Sequence, residues 1–201
     1  MIIAIDGTSG SGKSTVAKLL SEKTGFELVN TGLIYRKITK YCLERNINYK
    51  EINEINKILN QISFTNIKDE MLHSEEISKH VPLFARYETV REFVRKIQRS
   101  FADGKNIIVE GRDIGTIVFP NADRKIYIDA SIEERTKRRM QQLGVDGIII
   151  HDEIQLNLEQ RDKHDKDREV SPLEIALDAI IIDTTNKTLE EVMKEIEEKI
   201  A

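Results

Sequence analysis

Residues 2 to 15, Ile-Ile-Ala-Ile-Asp-Gly-Thr-Ser-Gly-Ser-Gly-Lys-Ser-Thr, leave this chain few folds to choose from. Ile2 to Ile5 is a short apolar run rich in β-branched residues, the pattern of a buried strand. It runs directly into Gly7-Thr8-Ser9-Gly10-Ser11-Gly12-Lys13-Ser14-Thr15, which fits G-x-x-x-x-G-K-[ST], the phosphate-binding P-loop. The chemistry requires this order. Glycines let the backbone curl until several N–H groups point at one anion. Lys13 adds a point charge near the β- and γ-phosphates, read here as lying in a solvated cradle. The Ser14 hydroxyl is a hard oxygen ligand suited to Mg²⁺. Lys13 to Lys23 reads as a helix with Val16, Leu19 and Leu20 on one face. Its positive N-terminal end then lies beneath the phosphates. The alternative, a chance Gly/Ser loop, does not explain why strand, loop and helix occur in the required order.

The 201 residues suffice for one α/β domain with insertions. A formal net charge of −4 gives no bulk attraction to nucleic acid or an anionic membrane. The single cysteine, Cys42, excludes an intrachain disulfide and reads as a small core-filling group on a helix. No apolar run is long enough to span a bilayer, and the chain opens on a strand with no signal peptide. The expectation is a cytoplasmic monomer without nucleic-acid or membrane partners.

Further strands are expected at Phe26–Val29, Asn106–Val109, Lys125–Ile128 and Ala179–Ile182. Asn30-Thr31-Gly32 reads as a turn, followed by a helix from Leu33 to Arg45. Residues 46 to 87 are Asn-rich and charged, the texture of an insertion of short elements. Glu88 to Phe101 is a helix with Val90, Phe93, Val94 and Ile97 on one side. Ser131 reads as an N-cap with Glu134 at the capping-box position, for a helix running to about Leu143. Gly144 to Gly147 breaks it. Asp152 reads as the N-cap of the next helix, to about Arg168, with His151 solvated beside it. Leu189 to Ile200 closes the chain as an amphipathic helix. Continuously apolar strands alternating with helices predict an α/β, three-layer αβα fold around a parallel five-stranded sheet. Function then belongs at the carboxyl ends of the strands, where Asp6-Gly7, Asn30-Thr31-Gly32, Glu110-Gly111-Arg112-Asp113 and Asp183-Thr184 fall.

A second constellation is cationic. Arg36, Arg91 and Arg112 lie at helix starts or just after a strand end. Arg135, Arg138 and Arg139 are spaced i, i+3, i+4 and share one helical face; Arg161, Asp165 and Arg168 place two arginines about one carboxylate. Solvated faces with weak ion pairs would explain any one of these. The set beside a P-loop points to phosphoryl transfer, in which negative charge spreads over the migrating group.

The blocks Gly7-to-Thr15, Thr31-Gly32-Leu33-Ile34-Tyr35-Arg36, Val90-Arg91 with Gln98-Arg99, Gly111-Arg112-Asp113-Ile114-Gly115-Thr116-Ile117-Val118-Phe119-Pro120, and Arg161-Asp162-x-x-Asp165-x-x-Arg168 resemble bacterial-type cytidylate kinases. Pro172-Leu173 and Asp178-Ala179 extend the match. The similarity covers nearly the whole chain and is weakest over 46–80. It implies one P-loop kinase domain: a core of 1–45, 88–139 and 169–201, a nucleoside-monophosphate-binding insertion of about 46–87, and a lid of about 140–168. It implies ATP and Mg²⁺ as cofactors, with Gly7 to Thr15 holding ATP phosphates and Ser14 the metal. Lys13, Arg112, Arg135, Arg139 and Arg161 would serve the transfer itself. Arg36, Arg112 and Arg161 would reach the acceptor phosphate. Thr31, Arg91, Asp113 and Arg168 would read the base, and Asp165 with Arg161 would hold the ribose. Two positions depart from the family pattern: Asn30 stands where an acid is usual, and Pro82 where a ribose-contacting serine is usual.

The expected activity is transfer of the ATP γ-phosphate to CMP or dCMP. Base chemistry agrees: a carboxylate can accept from the cytosine amino group and an arginine can donate to the ring acceptors. Another acceptor such as UMP, or a nucleotide-hydrolysing regulator, is the competing expectation.

Overall fold

The computed structural model describes residues 1–64, 72 and 74–200. In chain order the elements are β1 (Ile2–Gly7), α1 (Lys13–Thr24), β2 (Glu27–Asn30), α2 (Thr31–Leu43), α3 (Ile52–Leu59), α4 (Glu75–Ala85), α5 (Glu88–Ser100), β3 (Ile107–Glu110), a π-helical turn (Ile114–Val118), β4 (Arg124–Asp129), α6 (Ile132–Leu143), α7 (Ile148–Asp167), β5 (Ile180–Asp183) and α8 (Leu189–Ile200). They pack as two units, Met1–Val29 with Gly104–Ala201, and Asn30–Asp103.

The first unit carries the parallel sheet, in the order β2-β3-β1-β4-β5. Its central strand β1 pairs with β3 from Ile2↔Ile107 to Ile5↔Glu110, and with β4 from Ile3↔Arg124 to Gly7↔Ile128. β4 pairs with β5 up to Asp129↔Asp183. Ile3, Ile5, Ile108, Ile126, Ile128 and Ile182 pack with Val16, Ala17 and Leu20 of α1 and with Val192 and Ile196 of α8. Each of the isoleucine, valine and leucine side chains contributes about 1.5–3 kcal/mol by leaving water. The same register carries Asp6, Glu110, Asp129 and Asp183 to one end of the sheet.

In the second unit one apolar cluster joins Ile34, Ile38 and Cys42 of α2, Ile55, Ile58 and Leu59 of α3, Phe84 of α4, and Val90 and Val94 of α5. This shared core makes the unit wider than the 46–87 stretch, because α2 and α5 bury their apolar faces in it. Residues 65–71 and 73 of that stretch lie outside the described residues. Cys42 fills this core as expected, and burial pushes its thiol up to about 11.

Three local expectations are corrected. Thr31 and Gly32 do not form a turn but open α2, because extended backbone at Asn30 (φ −87°, ψ 101°) leads the strand straight into the helix. α7 starts at Ile148, not after Asp152, with Gly147 (φ 110°) preceding it and His151 N–H donating to Gly147 O at 2.9 Å. Ile148 and Ile149 are strongly exposed there, so that first turn carries no burial periodicity to reveal it. Ser131 caps α6 as expected, its Oγ accepting from Glu134 N at 3.2 Å. The capping box is not completed: the Glu134 carboxylate takes Arg138 Nε at 2.9 Å, and the Ser131 N–H donates to Thr185 Oγ1 at 2.8 Å.

Candidate active site

β1 ends in a loop that turns on glycines. Gly10 and Gly12 adopt φ of 78° and 96°, which an L side chain resists. Gly12 begins α1, and Val16 N–H donates to Gly12 O at 3.0 Å. The loop is braced from several elements. Ser11 Oγ donates to Thr8 O at 3.0 Å, Thr8 Oγ1 donates to Asp129 Oδ1 at the end of β4, and Thr184 Oγ1 donates to Ser11 O at 3.1 Å. Arg138 donates to Thr184 Oγ1 at 2.9 Å and to Thr184 O at 2.7 Å.

Lys13 is not solvated: only 7% of it is exposed, and its ammonium donates to Thr8 O. Burial pushes it well below the ordinary ammonium range. The Arg112 charge pushes the same way, while Glu110, Asp165 and Asp6 oppose. A cation so placed gains most when an anion arrives, since the low local dielectric strengthens the pairing. Ser14 and Thr15 are exposed at the start of α1.

The loop after β3 is shaped by Asp6. Its Oδ1 accepts from Ile114 N at 2.9 Å and its Oδ2 from Gly115 N at 2.7 Å, capping the π-helical turn. Burial raises the Asp6 carboxyl to about 6, against the two N–H groups; Asp113 adds to the rise and Lys13 opposes it. Asp113 therefore does not cap the turn that follows it. It is 93% buried, and among the described residues its carboxylate accepts no hydrogen bond.

Arg112 donates from Nε to Asp165 Oδ2 at 2.7 Å and from Nη2 to Ser9 Oγ at 2.9 Å. Arg168 donates from Nη1 to the other oxygen of Asp165 at 3.2 Å. Burial raises the Asp165 carboxyl, but the charges of Arg112 and Arg168 and the Arg112 hydrogen bond outweigh it and hold it below the carboxylate range. The two arginines bracketing Asp165 are thus Arg112 and Arg168. Arg161, exposed on α7, contributes a smaller pull.

The expected shared face of Arg135, Arg138 and Arg139 is divided. Arg135 is buried, donating from Nε to Ala130 O at 2.9 Å and from Nη1 to Ser9 O at 3.0 Å and to Asp162. Arg138 goes to Thr184 and, at 3.3 Å, to Ser11 O, and Arg139 is exposed, its one partner among the described residues being Gln142 Oε1 at 3.4 Å. The reason is depth: Arg135 and Arg138 reach P-loop carbonyls, those of Ser9 and Ser11, while Arg139 lies exposed.

In the second unit, Thr31 is buried at the start of α2. Arg36 donates from Nη1 to Leu72 O at 2.8 Å and to Ser78 Oγ at 3.0 Å. Arg91 is buried on α5, its guanidinium 5.8 Å from the centre of the Tyr35 ring.

Sequence reasoning passed over Asp6, Asp129 and Asp162 as individual actors. Asp129, like Glu110 and Asp183, ends its strand, and that repetition was the available signal. Asp162 gave none beyond its place in the Arg161 block, because its partners lie 153 and 27 positions away.

A family model described as Cytidylate kinase matches residues 3–201. The chain belongs to the cytidylate kinase family. It is 41% identical over 211 residues to the cytidylate kinase of Fusobacterium nucleatum, covering 100% of this chain and 97% of that protein. It is 42% identical to that of Thermotoga maritima, covering 96% and 94%. Membership makes it a kinase, as the motif blocks implied. Among solved structures, an uncharacterised protein from Eubacterium ventriosum aligns with a TM-score of 0.56 at 16% identity, over 100% of this chain and 98% of that one. Shikimate kinase from Bacteroides thetaiotaomicron aligns at 0.52 and 12% identity, over 100% and 98%. These likenesses support the three-layer α/β fold predicted from the strand pattern. No helix among the described residues is long and apolar enough to cross a membrane.

Proposed function

We propose that this kinase transfers the γ-phosphate of ATP to CMP or dCMP, giving ADP and CDP or dCDP. An acceptor phosphate oxygen attacks the γ-phosphorus in line. The new P–O bond forms as the bond to the bridging oxygen breaks, and that oxygen leaves with the electron pair on ADP. No general base is needed, because the attacking oxygen is already anionic.

The P-loop from Gly7 to Thr15 holds the ATP phosphates, with Lys13 beside the migrating group. Arg36, Arg112 and Arg161 take the acceptor phosphate; Asp165 with Arg161 holds the ribose. Thr31, Arg91, Asp113 and Arg168 read the base. Residues 140–168 act as the lid and about 46–87 as the monophosphate-binding insertion, on the remaining core. Arg135 serves the transfer by holding Ser9, and Arg139, exposed on the core side of the lid boundary, serves it as a further cation.

Mg²⁺ fits the donor set. The Ser14 hydroxyl is exposed and makes no hydrogen bond among the described residues. Those residues hold no cluster of three or more His, Cys, Asp or Glu ligands, as suits an ion carried largely by phosphate oxygens and water. When bound, the ion neutralises charge on the β- and γ-oxygens.

The observation that carries the cytosine assignment is Asp113, a carboxylate on a buried residue that accepts no hydrogen bond among the described residues while Asp6 does the capping beside it. Such a group suits an amino donor of a ligand, and a keto oxygen there would leave it unpaired and repelled. A coupled ADP-release assay with ATP against CMP, dCMP, UMP, AMP and GMP tests this. CMP and dCMP should lead. UMP as best acceptor would overturn the base assignment, and acceptor-independent hydrolysis would point to a nucleotide-driven regulator.

A further inference from the structure

Ser9 is held on three sides by side chains from outside the P-loop. Its N–H donates to Asp162 Oδ1 at 2.9 Å, its carbonyl accepts from Arg135 Nη1 at 3.0 Å, and its hydroxyl accepts from Arg112 Nη2 at 2.9 Å. Arg135 also pairs with the second oxygen of Asp162, which closes a ring through the Ser9 peptide, α6 and α7. Both Asp162 and Arg135 are more than 90% buried. Apolar packing supports the same contact. Leu158, one turn before Asp162, is buried, and a Cβ added at Gly10 would meet Leu158 Cδ2 at 3.8 Å and Arg135 Cβ at 3.4 Å. Asp165 faces the same way, reaching Ser9 through Arg112.

A buried ion pair is weak evidence for stability, because desolvation offsets much of its attraction. This one has a positional consequence. It joins the segment bearing Arg161, Asp165 and Arg168 to the phosphate loop through protein groups alone. We propose that Asp162 is a positioning residue, a latch that holds α7 closed on the P-loop through the Ser9 peptide and so populates the nucleotide-ready lid in advance. The inference rests on the reading of 140–168 as a lid, and not on which monophosphate is the acceptor. A protein whose competent state is already populated binds at its intrinsic affinity; one that must first close binds more weakly by the fraction closed.

The test uses the nucleotide-free protein, so it stays independent of the acceptor assignment. Hydrogen exchange is followed on peptides covering 7–15, 148–167 and 124–129 in wild type, Asp162→Ala and Asp162→Asn, and ATP affinity is measured by titration without acceptor. Asp162→Ala should speed exchange of 7–15 and 148–167 together while leaving 124–129 slow. It should weaken ATP binding by about tenfold, the equivalent of about 1.4 kcal/mol. Asp162→Asn keeps an acceptor for the Ser9 N–H, loses only the charge facing Arg135, preserves the packing, and should show a smaller change of the same sign. The Ser9 amide proton resonance should move upfield in Asp162→Ala. Unchanged exchange of 148–167, or equal acceleration of 124–129, would overturn the latch, as would ATP binding that is unchanged or tighter. A kinase that prefers another acceptor would leave these readouts as they are.

Discussion

The Arg112 guanidinium donates from Nε to Oδ2 of Asp165 at 2.7 Å, across 53 positions of chain. Its Nη2 reaches Ser9 at the same time, so one planar fork joins the loop after β3, the P-loop and α7. Lysine cannot span this arrangement, since its ammonium is a single point. Arg112→Lys should lower kcat by roughly 10²–10³-fold, as loss of a preorganised donor does. Steady-state kinetics with ATP and CMP checks this; activity within threefold of wild type would mean the fork is dispensable.

Asp113→Asn replaces an acceptor-only group with one that can also donate. Use of CMP should fall by roughly tenfold or more, since one buried mismatch costs about 1–3 kcal/mol. Use of UMP should fall less or rise. The measurement is kcat/KM for both acceptors. Equal loss on both would assign Asp113 a merely structural part.

Asp6 makes stability depend on pH in an unusual direction. Its carboxyl is raised from 3.8 to about 6 in the folded protein. Between those values the folded state binds more protons than the unfolded state, so this group's contribution falls as pH rises through the window. The total is about 3 kcal/mol at most. Asp6→Asn keeps one acceptor for Ile114 or Gly115 and removes the titration. Urea unfolding from pH 4 to 7 should show wild type losing stability relative to Asp6→Asn. A difference that stays level over this range would contradict the assignment.

Gly7 and Gly25 separate close approach from backbone freedom. A Cβ on Gly7 would stand 1.9 Å from the backbone oxygen of Ile128, across the β1–β4 pairing. Gly7→Ala should destabilise by more than about 4 kcal/mol, or prevent folding. Gly25 has φ of 73° with nothing within 4 Å of an added Cβ, so Gly25→Ala should lose only about 1–2 kcal/mol of conformational strain. Thermal melts of the two variants decide; equal losses would refute the distinction.

Ser78 and Pro82 lie one turn apart on α4. The Ser78 hydroxyl donates to Ser74 O at 2.9 Å and accepts from Arg36 at 3.0 Å, so it works within its own helix and on Arg36. Ser78→Ala should raise KM for CMP and dCMP together and leave their ratio unchanged. Pro82→Ser, by supplying the family's hydroxyl, should raise the CMP/dCMP ratio by roughly tenfold at most. It should also stabilise α4, because an internal proline costs about 3 kcal/mol in a helix. A ratio that moves only with Ser78→Ala would place the sugar contact upstream.

Local patterning alone determined the parts of this protein whose physics is local. Apolar runs marked the five strands, glycine spacing marked the phosphate loop, and Ser131 marked the start of α6. Each depends on residues within a few positions of one another, and so does the family resemblance carried by the Gly111 and Arg161 blocks. Tertiary structure decided how the charges pair. Arg135, Arg138 and Arg139 are equivalent in sequence, yet one grips Ser9 and Asp162, one grips Thr184, and one faces solvent. Asp6 and Asp113 are both acids near strand ends, yet only Asp6 meets the N–H groups of the turn. Lys13 was legible as a phosphate ligand but not as a buried cation. Burial and charge pairing depend on distances between segments far apart in the chain, and those distances exist only once the sheet has set its register.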